Sequence, residues 1–164
     1  MTDLTPKAIE GGCRCGQVRF RASAPPLLTM ACHCRGCQAM SSSAFSLSAA
    51  IPAPAFEVTA GEPVIGGLHG PSRHYFCPNC LSWLFTRPEG VDVFVNVRPT
   101  LFDADQPEQA LWSEPFMETW TREGLAWAKT PAPILAKHSF EALPPEDAYP
   151  AMIADYAASL AART

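Results

Sequence analysis

No window of this 164-residue chain approaches the run of about 18–20 apolar residues that a membrane span requires. Residues Met1 to Glu10 carry no apolar run either, so no signal peptide is expected and the protein is read as cytoplasmic. Lysines and arginines form no block, and the net charge is −4, which argues against neutralising a phosphate backbone. Neither nucleic acid nor a membrane is therefore an expected partner. Internal repeats are absent, and no shift in composition marks a second domain. Apolar residues are not in short supply: at 48% of the chain they provide a core, so disorder is not expected. Seventeen prolines argue against long helices and for short strands joined by rigid turns.

Against these absences stands a surplus of cysteine. Three of the seven fall in Ala31-Cys32-His33-Cys34-Arg35-Gly36-Cys37, denser than packing needs. Cys13 and Cys15 lie upstream in Gly12-Cys13-Arg14-Cys15-Gly16, and Cys77 and Cys80 downstream in Phe76-Cys77-Pro78-Asn79-Cys80. In a reducing compartment clustered thiols hold metal more often than they form disulfides, and an odd count disfavours a disulfide framework. Zinc takes four donors in a tetrahedron. A Cys-x-x-Cys knuckle turns both sulfurs toward one ion, and Cys13 and Cys15 leave an extended segment on the same side. Neither pair suffices alone, so each needs a partner distant in sequence. Spacing does not decide which: Cys32 and Cys37 could also join Cys77 and Cys80 in a ribbon-like site. A four-cysteine site is closed and structural, whereas a three-cysteine site leaves a position open.

The remaining pattern predicts mostly strands. Val18, Phe20 and Ala22 alternate with polar residues over 17–23, and residues 27–31 form a buried strand leading into the triplet. One or two helical turns follow over 34–40, then strands over 45–51 and 55–59. Residues 73–76 and 83–86 flank the Cys77–Cys80 knuckle as a hairpin. Val91, Val93, Val95 and Val97 predict the clearest strand of the chain. A short helix is expected over 107–112. A final helix opens at Pro150, capped by Asp147, with Met152, Ile153, Tyr156, Ala157 and Leu160 on one face. Glycines at 61, 66 and 67 punctuate the middle of the chain, and 116–127 shows no clean period.

Gly-Gly-Cys13-x-Cys15-Gly16-x-Val18-Arg19-Phe20, Cys32-His33-Cys34-x-x-Cys37 and Phe76-Cys77-x-x-Cys80 together resemble the glutathione-dependent formaldehyde-activating enzyme family, which includes centromere protein V. The resemblance implies a mainly β fold, a β-tent of several short coiled antiparallel sheets around a structural zinc, with a C-terminal helix here added. Residues 1–10 would be a lead-in, 11–135 the zinc-binding domain and 136–164 an extension. The resemblance assigns the structural zinc to Cys13, Cys15, Cys77 and Cys80, and a second, catalytic zinc to Cys32, Cys34 and Cys37. It implies a carbon–sulfur lyase of the S-(hydroxymethyl)glutathione synthase type, with glutathione or a related thiol as partner. His33 could then supply a proton to the developing alkoxide, and Arg35 could attract the glutathione carboxylates. A noncatalytic zinc-binding interaction module and a thiol redox sensor are the alternatives, and the oligomeric state is left open.

Three features depart from the family pattern. Leu81 stands where glycine is usual, which costs about 1–2 kcal/mol if the backbone there is left-handed. Gln38, Ala39 and Met40 stand where a basic residue commonly follows Cys37, and Glu118 replaces a frequent histidine. His74 lies near the knuckle, but four thiols already complete that site. His69 and His138 have no cluster around them and are expected in solvent. Trp83, Phe85, Trp112, Phe116, Trp120 and Trp127 are assigned to core or rim. Arg14, Arg19 and Arg21 are expected to offset the charge of the zinc–thiolate cluster.

Overall fold

A computed structural model describes residues 8–128 and 138–163, with the backbone alone for 67–69. The first hairpin follows from the alternation around Phe20. β1 (Ile9–Gly12) pairs antiparallel with β2 (Arg19–Ala22), and β2 pairs with β5 (Phe56–Ala60), completing a three-stranded sheet. Val18, Phe20 and Ala22 are fully buried as their period predicts. The Phe20 ring meets Phe56 at 5.7 Å and the edge of Phe102 at 5.4 Å. Burying such a ring contributes about 1.5–3 kcal/mol. β1 reaches back to Ile9, so the expected lead-in is already strand at its end. The expected boundary at 135/136 lies outside the described residues.

A second, seven-stranded sheet carries the rest. Its members are β3 (Thr29–Cys32), β4 (Ser46–Pro52), β6 (Val64–His69), β7 (Ser72–Phe76), β8 (Trp83–Pro88), β9 (Phe94–Val97) and β10 (Met117–Thr119). The spatial order is β10-β3-β4-β9-β8-β7-β6. All neighbours are antiparallel except β10 and β3, which run parallel; the expected all-antiparallel pattern is corrected at that edge. The fold is thus mainly β, as expected.

Three elements differ from expectation. β9 begins only at Phe94, and Val93 is 66% exposed, although the valine alternation extends further. The strand expected over 27–31 starts only at Thr29; Leu28, Thr29 and Ala31 are buried, but Leu27 and Met30 are half-buried. β6 replaces what glycines 66 and 67 mark as a break. α1 (Arg35–Ser41) and α2 (Pro107–Ser113) form as expected.

α3 (Tyr149–Ala161) also forms, with Met152 and Tyr156 buried against Leu28, Phe116 and Met117. Asp147 is not its cap: it sits inside a 3-10 turn over Glu146–Ala148, and Ala148 leads into the helix without a side-chain bond. Ala157 is exposed rather than on the packed face. His138, expected in solvent, is 7% exposed. It lies 4.7 Å from Phe116 in centroid distance, with Nε2 3.5 Å from Asp155 Oδ2 on α3. The side chain of His69 lies outside the described residues.

Candidate metal centres and the cavity beside them

The two flanking cysteine pairs converge. The turn after β1 is closed by Cys13 N–H donating to Val18 O at 2.9 Å and Gly16 N–H to Cys13 O at 3.0 Å. The β7–β8 turn is closed by Cys77 N–H to Ser82 O at 3.0 Å and Leu81 N–H to Cys77 O at 3.1 Å. The sulfurs of Cys13, Cys15, Cys77 and Cys80 all lie within 4.8 Å of one another. Cys13 and Cys15 are separated by 3.4 Å and Cys15 and Cys77 by 3.7 Å. A ZnS₄ tetrahedron with bonds of about 2.3 Å has edges of about 3.8 Å, so this donor set fits zinc. Val18 N–H points at Cys13 Sγ at 3.2 Å, and Ser82 Oγ lies 3.2 Å from Cys80 Sγ. The Ser82 hydroxyl contact is the main cause that lowers the Cys80 thiol to about 5. The four residues join the hairpin of the smaller sheet to the hairpin of the larger one.

Leu81 completes the second knuckle with φ +56°, in the left-handed region, and its side chain is 70% exposed. It therefore bears the backbone strain without a packing return. Leu81→Gly is expected to stabilise the chain by about 1 kcal/mol. A raised thermal midpoint of the zinc-loaded protein checks it; an unchanged or lower midpoint counts against this account.

The triplet assembles at the end of β3. Cys32 is the last strand residue, Cys34 is the N-cap of α1 and Cys37 lies in its first turn. Cys34 Sγ accepts from Cys37 N–H at 3.4 Å. The three sulfurs lie within 4.8 Å of one another and form a group separate from the other four. A hydrogen bond from Cys37 is the chief cause that draws the Cys32 thiol down to about 5; the same bond, with burial, drives Cys37 up. Burial also raises Cys34. Zinc binds thiolates, so an ion entering the triplet would displace the protons its thiols hold.

Two of the family departures take their meaning from this geometry. Gln38 Nε2 donates to His33 O at 2.6 Å and Glu123 O at 3.0 Å, tying α1 to β3 and to the 3-10 turn over Thr121–Glu123. Glu118 Oε2 is 3.1 Å from His33 Nε2, and Glu118 Oε1 accepts from Ser139 Oγ at 2.7 Å. His33 itself is 2% exposed, with Phe45 at 5.3 Å in centroid distance. Arg35 is exposed, its Nη1 3.3 Å from Gln38 Oε1, beside an open cavity that Trp127 also lines.

Other candidates are placed elsewhere. His74 is buried with Nδ1 2.9 Å from Thr86 Oγ1, outside the four-sulfur group. Arg19 is held by both carboxylate oxygens of Asp103, and Arg21 by Glu10 and Glu57 at 2.6 and 2.9 Å. Nearby carboxylates, rather than the thiolate cluster, are thus the main counter-charges of these two arginines. Phe85, Trp112 and Phe116 are core as expected, while Trp127 is 77% exposed.

One residue that the sequence did not single out stands beside the triplet. Arg98 follows β9, is 8% exposed and lays its guanidinium 4.0 Å from the centre of the Trp83 ring. The charges of Cys37 and Cys32 act on it, while burial, the larger influence, lowers its pKa to about 10, so it stays cationic at neutral pH. A cavity of about 330 Å³ opens here, lined among others by Ser41, Ser46, Leu47, Trp83, Arg98 and Thr100. Ser46 lies opposite Cys32 across the β3–β4 ladder, and Ser41 Oγ donates to Cys37 O at 2.7 Å. An arginine before proline carries no local mark of such a role; only the topology brings residue 98 to residues 32 and 37.

A crystallised Rhodobacter sphaeroides protein is similar at 16% identity and a TM-score of 0.48, over 62% of this chain and 94% of its own. No curated protein matches in sequence. The sequence profile of the glutathione-dependent formaldehyde-activating enzyme family matches residues 8–123, which include all seven cysteines. The chain belongs to that family.

Proposed function

We propose that this protein is a zinc-dependent carbon–sulfur lyase of the S-(hydroxymethyl)glutathione synthase type, joining glutathione or a related thiol to formaldehyde or a similar aldehyde. One observation carries this reading: the cysteines divide into a group of four and a separate group of three, and Ser41 and Ser46, which neighbour Cys37 and Cys32, line a cavity. Four sulfurs close a structural site, whereas three leave a coordination position open. Zinc bound by Cys32, Cys34 and Cys37 supplies Lewis acidity that favours the deprotonated form of a substrate thiol at neutral pH.

The reaction balances without another reagent. The thiol sulfur donates a pair to the aldehyde carbon, forming the carbon–sulfur bond, and the carbonyl π pair moves to oxygen. The proton lost by the thiol ends on that oxygen, and the reverse reaction breaks the same bond. Because the uncatalysed addition needs little help, the protein's contribution is mainly orientation. His33, buried and held by Glu118, serves as a positioning residue that fixes the backbone between Cys32 and Cys34; its side chain is not among the residues lining the adjacent cavity. Arg35 remains an exposed cation for a glutathione carboxylate. No described helix is long and apolar enough to cross a membrane, and a cytoplasmic thiol is the partner this chemistry calls for.

Mixing glutathione and formaldehyde with zinc-loaded protein tests the proposal by exchange spectroscopy on the hydroxymethyl adduct. We expect two zinc ions per chain and exchange faster than the uncatalysed rate. A single tight zinc, a freely alkylated triplet and no acceleration would instead identify a noncatalytic interaction module. Reversible formation of a Cys32–Cys37 disulfide near cellular potentials, again without acceleration, would identify a redox sensor.

A further inference from the structure

The cavity above Ser46 has one charged wall. Arg98 is the charged side chain among its described lining residues; hydroxyls of Ser41, Ser43, Ser46 and Thr100 and apolar surface make up much of the rest. A buried guanidinium normally has its donors satisfied by a carboxylate or several carbonyls. Here Nη2 donates to Asn96 O at 3.2 Å, while the buried Nε has no partner. No described carboxylate pairs with it. The Trp83 face fixes the plane of the guanidinium and leaves its edge as the hydrogen-bonding surface. A guanidinium edge matches the geometry of a planar anion such as a carboxylate.

Position adds the second half. Two residues of the cavity wall lie beside the triplet: Ser46 stands opposite Cys32 across the β3–β4 ladder, and Ser41 Oγ donates to Cys37 O at 2.7 Å. A ligand whose sulfur joins the triplet would extend its remaining atoms past Ser46 toward Arg98. The volume of about 330 Å³ suits a small organic molecule rather than a polymer.

We propose that Arg98 selects the substrate of this site: a small thiol bearing a carboxylate, with sulfur at the cysteine triplet and the carboxylate on the Arg98 guanidinium. The inference rests on the triplet being an open thiol-binding metal site, as set out under the proposed function. Arg98 is on this account a specificity residue distinct from Arg35, which is exposed and lines a different cavity.

Cobalt(II) loaded in place of zinc makes thiol binding visible in the absorption spectrum, independent of turnover. Titration compares 3-mercaptopropionate with 2-mercaptoethanol, which lacks the carboxylate. A charge-assisted hydrogen bond to a buried guanidinium predicts that the acid binds about tenfold or more tightly. Arg98→Gln is expected to reduce that preference to within about twofold while leaving 2-mercaptoethanol affinity unchanged, and Arg98→Lys to leave an intermediate preference. Arg73→Gln, which removes an exposed arginine paired with Glu89, controls for net charge and is expected to keep the full preference.

Equal affinity of the two thiols for the unsubstituted protein would overturn the assignment even if the Arg98 variants fail to fold. So would Arg98→Gln weakening both thiols alike, the signature of a cation that only balances the metal cluster. If neither thiol perturbs the cobalt spectrum, the open-site reading beneath it falls as well.

Discussion

Cys77→Ser is expected to unfold the chain and to remove one zinc per molecule. Cys77 is fully buried, and its sulfur lies 3.7 Å from that of Cys15, 62 residues earlier. The site brings the β1–β2 hairpin of one sheet to the β7–β8 hairpin of the other, so an ion bound there would fasten two sheets that share a core. Structural zinc in small peptide sites contributes about 10–16 kcal/mol at neutral pH, whereas a whole domain is stable by about 5–15 kcal/mol. Losing one of four thiolates therefore removes a free energy comparable to the full margin. The serine hydroxyl would also sit in a buried, apolar cluster. Metal analysis with far-ultraviolet circular dichroism checks this. A cooperative melt near the unsubstituted midpoint, with the metal gone, would show that the ion is dispensable to the frame.

Much of this frame could be read from the chain because it is written in short-range pattern. The period of Val18, Phe20 and Ala22 survives intact, and the paired cysteines mark two turns whose backbone bonds close as such turns do. Where local pattern misled, the missing information was the identity of the neighbour. Val91 and Val93 alternate with Val95 and Val97, yet β4 ends at Pro52, whose partner in register is Phe94. Beyond that proline there is no strand for the first two valines to join. Conversely, glycines 66 and 67 do not end β6. The ladder shifts between Ile65 and Gly67, and a Cβ on Gly66 would come within 2.5 Å of the Phe76 ring. Glycine there admits a ring from the next strand.

The same distinction separates the parts of the site. Sulfur ligands announce themselves by spacing, whereas the groups around them come from far along the chain. Glu118 reaches His33 across 85 residues, and Arg98 feels Cys37 only because β9 lies beside β4 and β4 beside β3. Neither relation leaves a local trace. The histidine in the triplet suggested a proton donor. Its burial against Glu118 fits the positioning role proposed above.

Cys34→Ser is expected to do the reverse of Cys77→Ser: keep the fold and lose the chemistry. Cys34 caps α1, its sulfur accepting from Cys37 N–H, and serine is the stronger cap at such a position. Its side chain is half-buried and outside both hydrophobic clusters, so little packing changes. The hydroxyl cannot replace the thiolate as a zinc donor at neutral pH, and the triplet drops to two sulfurs. We expect the thermal midpoint to stay within a few degrees, one zinc to be lost and the rate of adduct exchange to fall at least about a hundredfold, equivalent to about 3 kcal/mol or more. Calorimetry, metal content and exchange rate on one preparation measure all three. If Cys34→Ser unfolds the chain, the triplet is a second structural clasp. If it stays folded and exchange remains fast, the carbon–sulfur bond is made elsewhere on the protein.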